Sequence, residues 1–213
     1  MALAGSTDGP APLTAEAFRR ATGVSRETLD RLQAYADLLV RWQARVNLVG
    51  RSSVADLWRR HMLDSAQLAT MVPPGTRCLV DLGSGAGFPG LVLAILGVDG
   101  VHLIESDRKK CAFLREAARQ TAAPVQILAE RIEDVPPFPA DVITARALAP
   151  LRRLIPLARP FVRPDTVLLF PKGQDVDREL TEATKQGILT VARTPSMTSP
   201  DGTVLRIGGD QIV

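Results

Sequence analysis

Cysteine, histidine and tyrosine are scarce in this chain: two, two and one among 213 residues, with aromatics at 4%. Cys78 and Cys111 are too few for the disulfide framework of a small secreted fold, and neither has partners at metal-ligand spacing. Both read as small core residues, and no metal is expected. Long apolar runs are absent as well: nothing approaches the roughly 20 residues that cross a bilayer as a helix. Met1-Ala2-Leu3-Ala4-Gly5-Ser6 lacks a basic segment followed by a long apolar one. A cytoplasmic protein with no membrane partner is the expectation.

A large surplus of one charge is missing too. Lysine and arginine total 26 against 23 acids, a net of +3, which by itself does not indicate nucleic acid. The distribution says more. Arg41, Arg45, Arg51, Arg59 and Arg60 stand against Asp37 and Asp56, and Arg146, Arg152, Arg153, Arg159 and Arg163 gather early in the chain's last third. Arginine suits planar, bidentate contacts to phosphate. Solvated helix faces account for the same residues equally well, so both readings stand.

What is present is globular. An apolar content of 46% over this length supports one ordinary domain with an appendage. Residues 1–12, with Gly, Ser, Thr, Asp and two prolines, read as a disordered tail. Residues 13–75 read as a helical extension. Ser25 caps a helix in which Leu29, Leu32, Ala36, Leu39, Trp42 and Val46 form one apolar stripe. A second helix spans Val54 to Met71, ended by Pro73-Pro74-Gly75, and Asn47 is placed to brace the turn between them. Residues 76–213 change pattern: apolar strands at 78–82, 101–105, 125–129, 141–146 and 166–170 alternate with crossover helices, which predicts a mostly parallel sheet covered on both faces. Ile188 to Ala192 and Val204 to Ile207 read as a closing antiparallel hairpin.

The most informative stretch is Cys78-Leu79-Val80-Asp81-Leu82-Gly83-Ser84-Gly85-Ala86-Gly87-Phe88-Pro89-Gly90, an apolar strand that ends in an acid and enters a loop with four glycines in eight residues. Such a turn needs positive φ where the chain reverses and missing Cβ atoms where a ligand lies against backbone; glycine supplies both. The helix that follows, with Pro89 in its first turn, is expected to turn its free N–H groups toward the ligand. Two cofactor classes compete. Gly85, Gly87 and Gly90 satisfy the dinucleotide fingerprint, and Glu105 follows at about the distance of a ribose-gripping acid. The frame of Asp81, Gly83, Gly85 and Gly87 resembles motif I of the S-adenosylmethionine-dependent methyltransferases, and Glu105 suits the ribose of either ligand.

Ligands in such sheets bind beyond the carboxyl ends of the strands. After the third strand come Glu130-Arg131-Ile132-Glu133-Asp134, where an acid beside an apolar residue suits an adenine amino group and ring. After the fourth come Thr144-Ala145-Arg146-Ala147, and after the fifth Phe170-Pro171-Lys172-Gly173, so that two cations face the carboxylates across one pocket mouth. His61, with Asp64 three residues on, reads as a structural pair anchoring the extension.

Taken with Asn47-Leu48, Arg60-His61-Met62-Leu63-Asp64-Ser65, Arg131-Ile132-Glu133, Arg146-Ala147 and Lys172-Gly173-Gln174, the glycine loop makes the chain, from about residue 14 onward, resemble the glucose-inhibited division protein B family. The resemblance implies an α/β, Rossmann-like class I S-adenosylmethionine-dependent methyltransferase fold, a mostly parallel seven-stranded sheet with an N-terminal helical extension. It implies methyl transfer from S-adenosylmethionine to N7 of a guanine in the decoding-region loop of 16S ribosomal RNA, in the small ribosomal subunit. Gly83, Phe88, Ile132, Glu133 and Arg146 match cofactor-contacting positions of that family, and Asp81, Gly85, Gly87 and Glu105 join them from the loop reading. Arg146 and Lys172 are the catalytic candidates; Arg45, Arg59, Arg60 and Lys172 are the RNA-contacting ones. A monomer is expected. The alternatives are a nicotinamide-dependent oxidoreductase and a methyltransferase acting on a non-RNA substrate. Amino methylation of adenine fits poorly, since Asp134-Val135-Pro136-Pro137-Phe138 carries an extra valine and precedes the fourth strand.

Overall fold

The computed structural model describes residues 11–185 and 191–212. Thr14 and Ser25 open helices α1 (Ala15–Thr22) and α2 (Arg26–Gln43), their hydroxyls accepting from Ala17 N and Thr28 N and so giving partners to N–H groups that the helix leaves unpaired. The α2 stripe is buried at Leu29, Leu32, Ala36 and Leu39, widened by Tyr35 and Leu38. Trp42 packs on the same core, while Val46 reaches it from beyond the helix end. Gln43, not Asn47, braces the next turn: its Oε1 accepts from Leu48 N and Val49 N at 2.9 and 3.0 Å, and its Nε2 donates to Val49 O at 2.7 Å. The longer side chain folds back from the last helical position, and Asn47 is left exposed.

The helix expected over 54–71 is a segment of mixed winding. A 3-10 stretch Arg51–Asp56 leads into a π turn Trp58–Leu63, one α turn α3 (Asp64–Ala66) and a 3-10 stretch Gln67–Met71. The end of the expected tail is fastened to it, since Arg59 donates to Ala11 O, and just beyond the tail Leu13 N donates to Asp56 Oδ1 at 2.7 Å. Residues 1–10 of that tail lie outside the described residues.

Strands β1 (Leu79–Leu82), β2 (Val101–Ile104), β3 (Val125–Leu128), β4 (Val142–Thr144), β5 (Val167–Lys172), β6 (Val191–Pro195) and β7 (Thr203–Gly208) form one sheet in the order β3-β2-β1-β4-β5-β7-β6. The first five are parallel and β7 runs antiparallel between β5 and β6. Of the hairpin arm expected over 188–192, residues 188–190 lie outside the described residues, and the observed arm continues to Pro195. Pairing with β4 stops at Leu169, but pairing with β7 carries β5 on to Lys172, opposite Thr203. Lys172 is thus the last residue of a strand, not part of the loop after it.

Helices α4 (Gly90–Ile95) and α5 (Arg108–Thr121) cover one face together with α1 and α2; α6 (Leu151–Ala158) and α7 (Val176–Thr184) cover the other. Leu32 and Leu39 of the extension share a single buried cluster with Leu91, Leu103 and Phe113, so the change of pattern at residue 76 does not divide the core. The chain winds both ways from β1, and the crevice between the carboxyl ends of β1 and β4 is where such sheets take ligands. Among the described residues no helix is long and apolar enough to cross a membrane.

Candidate active site

The glycine loop divides its work. Gly83, Gly85 and Gly87 all have positive φ, at 62, 58 and 96°, conformations that strain any side chain. A Cβ on Gly85 would meet nothing nearer than Gly83 O at 3.9 Å, so that face is open. On Gly83 it would collide with Leu148 Cδ1 at 2.6 Å; on Gly87, with Leu91, Leu114 and the Tyr35 hydroxyl within 3.0 Å. On Gly90 it would strike Leu103 and Asp81. Gly87 and Gly90 therefore let protein pack against the loop, and Gly85 is the glycine whose missing side chain leaves room.

Asp81 works beneath the loop. It is fully buried, Thr144 Oγ1 donates to its Oδ1 at 2.8 Å, and Gly90 N donates to its Oδ2 at 3.3 Å. This corrects two expectations: the N–H at the start of α4 is turned to Asp81, and Asp81 holds the turn with no free face for a cofactor. Pro89 stands as the N-cap, one position before the helix. Burial pushes the Asp81 carboxyl up to about 6, against hydrogen bonds from Thr144 and Gly90 that pull it down.

Glu105 sits one residue past β2 and is 8% exposed. Its Oε2 accepts from Gly85 N at 2.8 Å and its Oε1 from Asp107 N at 2.7 Å. Each oxygen has accepted one bond from the protein and has lone-pair capacity for another. Beyond β3, the 3-10 turn Ile132–Asp134 buries Ile132 and exposes Glu133.

The loop is also gripped from the extension. The fully buried Tyr35 donates its hydroxyl to Ala86 O and lies 5.3 Å from the Phe88 ring. His61 stacks on Phe88 at 4.9 Å and 27°. Arg146, beyond β4, lies over the same ring with its guanidinium carbon 5.0 Å from the centroid. Its Nη1 donates to Arg60 O at 2.9 Å and Asp64 Oδ2 at 3.1 Å, and its Nη2 to His61 Nδ1 at 2.7 Å. The expected His61–Asp64 pair is replaced by this arrangement, in which Arg146 bonds to both. The π turn assists, since Asp64 N bonds the Arg59 carbonyl five residues back. Burial, with Arg146 and Arg60 adding repulsion, holds His61 down at about 3, so the ring is neutral.

Lys172 is one-tenth exposed; its Nζ donates to Glu179 Oε2 at 2.8 Å and Ala149 O at 3.0 Å. Glu179 Oε2 also accepts from Leu151 N at 2.8 Å, so Lys172 ties β5 to the loop before α6 and to α7. Of the RNA candidates, Arg45 and Arg60 are exposed. Arg59 is committed to Asp56 Oδ2 at 2.9 Å and to Ala11 O. The Pro136-Pro137-Phe138 segment lies elsewhere, lining a cleft of about 300 Å³ with His102, Gln126 and Leu128.

Tyr35, Thr144, Ser53 and Gln67 are the residues of this site that local sequence reading does not single out. Gln67 holds Met197 N at 2.9 Å through its Oε1, and Thr198 Oγ1 donates to Asp64 Oδ1 at 2.8 Å, which docks the β6–β7 turn against the extension. The only local signal among them is that Tyr35 is the single tyrosine, set within the α2 stripe.

A doubly wound sheet closed by an antiparallel hairpin, with an open glycine turn after β1 and an acid after β2, defines the class I S-adenosylmethionine-dependent methyltransferase architecture. Solved structures agree at the level of fold. A magnesium protoporphyrin IX methyltransferase from Synechocystis with bound SAM aligns with TM-score 0.61 at 12% identity, over 87% of this chain and 97% of that one. A ribosomal protein L11 methylase from Lactobacillus delbrueckii aligns with TM-score 0.58 at 17% identity, over 68% and 75%. Residues 28–203 match the family described as GidB, rRNA small subunit methyltransferase G, and the chain belongs to that family. Its relatives include the ribosomal RNA small subunit methyltransferases G of Paramagnetospirillum magneticum, 59% identical over 87% of this chain and 91% of the other, and of Rhodospirillum centenum, 57% identical over 93% and 92%. Family membership sets aside the nicotinamide alternative.

Proposed function

We infer that the protein methylates N7 of a guanine in 16S ribosomal RNA, using S-adenosylmethionine, and that it does so in the cytoplasm, as a monomer, on the small ribosomal subunit. The observation that carries this reading is the open face at Gly85 beside the Glu105 carboxylate, in a chain of the rRNA small subunit methyltransferase G family. The residues fit the donor: Gly85 leaves backbone accessible, with Gly83 beside it in the same turn, Glu105 suits the ribose hydroxyls, and Ile132 and Glu133 suit the adenine. Phe88 and Arg146 close the remaining side. Bound there, S-adenosylmethionine supplies an electrophilic sulfonium methyl.

Guanine N7 has an in-plane lone pair and needs no deprotonation, so the protein requires no general base. Its task is to orient the purine and exclude water, which is catalysis by positioning. Arg146 offers a guanidinium suited to guanine O6, which leaves the N7 lone pair free for the methyl. Lys172, already spending two bonds on the protein, sets the β5 rim and keeps one proton for a phosphate or base oxygen. Arg45 and Arg60 contact RNA through phosphate attraction.

The test is chemical. 7-Methylguanine carries a fixed positive charge that makes the base labile to borohydride and the chain cleavable by aniline. Small-subunit RNA should break at one guanine when the active protein is present, and not on deletion. A methyl found at N1, N2 or a ribose hydroxyl would overturn the N7 reading.

A further inference from the structure

We propose that His61 is a positioning residue for methyl transfer: its ring, acting as a neutral acceptor, fixes the Arg146 guanidinium over Phe88 without cancelling the charge that Arg146 presents to the target base. This rests on the reading of Arg146 given above.

The tautomer follows from the chain of bonds. Ser53 Oγ donates its single proton to Gly50 O at 2.7 Å. At the 2.7 Å contact with His61 Nε2, Ser53 Oγ must therefore accept, and the proton is on Nε2. That leaves the Nδ1 lone pair for Arg146 Nη2, also at 2.7 Å. Four groups, from the residue before the mixed-winding segment to a residue beyond β4, are thus aligned in one direction: Gly50 O, Ser53, His61 and Arg146. Burial of both His61, at 9% exposure, and Ser53, at 7%, shields the run from competing water.

The choice of a neutral group matters electrostatically. A carboxylate in place of His61 would join Asp64 against the guanidinium and make Arg146 the centre of a neutralised cluster. As it stands Asp64 is the single carboxylate bonded to Arg146 among the described residues, at 3.1 Å, and its other oxygen is shared by Thr198 Oγ1 and Gln67 Nε2. Nη1 and one proton of Nη2 are spent on the protein, whereas Nε–H and the second Nη2 proton have no partner among the described residues. A guanidinium held on one edge and over an aromatic face keeps its other donors at a fixed angle, which serves a base that must be aligned for attack.

Two substitutions separate acceptor from filler. His61→Asn keeps an oxygen near the Nδ1 position; His61→Phe keeps the ring on Phe88 but has no acceptor. The measurements are single-turnover methylation of unmethylated small subunits, donor affinity and thermal stability. We expect His61→Phe to lower the single-turnover rate about 10- to 100-fold, the loss for one bond to a charged group, with donor Kd unchanged and the fold retained. His61→Asn should recover most of the rate. In an Arg146→Ala background His61→Phe should cause no further loss. If His61→Phe works better than His61→Asn, the ring acts only by packing and the proposal fails. If Arg146→Ala itself turns over normally, the reading of Arg146 fails first. Should His61→Phe prove unstable, the Ser53→Ala variant, which removes the group fixing the tautomer, must still lower the rate; an unchanged rate overturns the proposal.

Discussion

Glu105 accepts the Gly85 N–H at 2.8 Å, so the acid after β2 and the open glycine of the β1 turn form one rigid unit before any ligand arrives. The carboxylate is held on both oxygens, its second bond coming from Asp107 N. Glu105→Ala removes the ribose acceptor and frees the loop together. We expect S-adenosylhomocysteine binding weaker by about 1.5 to 3 kcal/mol, the range for bonds to a charged group. Calorimetric titration measures it, and an unchanged Kd would remove Glu105 from that role.

The loop glycines should fail in different ways. Gly85→Val projects a side chain into open space, so donor binding should vanish while folding loses only about 1 to 2 kcal/mol for left-handed backbone. Gly87→Ala drives a Cβ to 2.9 Å from Leu91 Cβ, an overpacking that costs about 1 to 3 kcal/mol of stability in addition. Urea unfolding and donor titration on both variants decide the matter. Equal losses of stability would show that the open face at Gly85 has been misjudged.

Asp81 makes stability depend on pH with a definite sign. Its folded-state pKa, about 6, lies above the ordinary 3.8, so the folded protein binds the proton more tightly than the unfolded chain does. The contribution is fully present below pH 4 and is lost as pH rises through 6, amounting to about 3 kcal/mol at 1.36 kcal/mol per pH unit. Asp81→Asn cannot titrate. The stability difference between wild type and Asp81→Asn should therefore shift against wild type between pH 4 and 7, and a difference flat in pH contradicts this account.

Arg45 and Arg59 look alike in the sequence and should behave differently. Exposed Arg45, changed to Glu, should raise KM for small subunits and flatten the salt dependence, because one phosphate contact is lost. Arg59→Glu breaks the bonds to Asp56 and Ala11 and should lower stability by about 1 to 3 kcal/mol. Steady-state kinetics from low to moderate salt, alongside thermal unfolding, distinguish the two. Identical effects on KM without loss of stability would make Arg59 an RNA contact after all.

The parts whose causes are local are legible in the residues alone. Positive φ at Gly83, Gly85 and Gly87, the acid one residue beyond β2, the Ser25 cap and the alternation of apolar strands with helices all leave marks within a few residues of where they act. What the loop rests on, and which charges remain available, came from packing between elements far apart in the chain. Tyr35 reaches Ala86 across 51 positions, Arg146 reaches His61 across 85, and Lys172 becomes a strand residue because β7 returns beside it. A charged side chain carries no record in the sequence of the partner that will claim it, since that partner is set by packing between elements distant in the chain. Burial then fixes the outcome: once water is excluded, Asp81 and His61 must find their bonds inside the protein, and the positions of neighbouring elements decide which bonds those are.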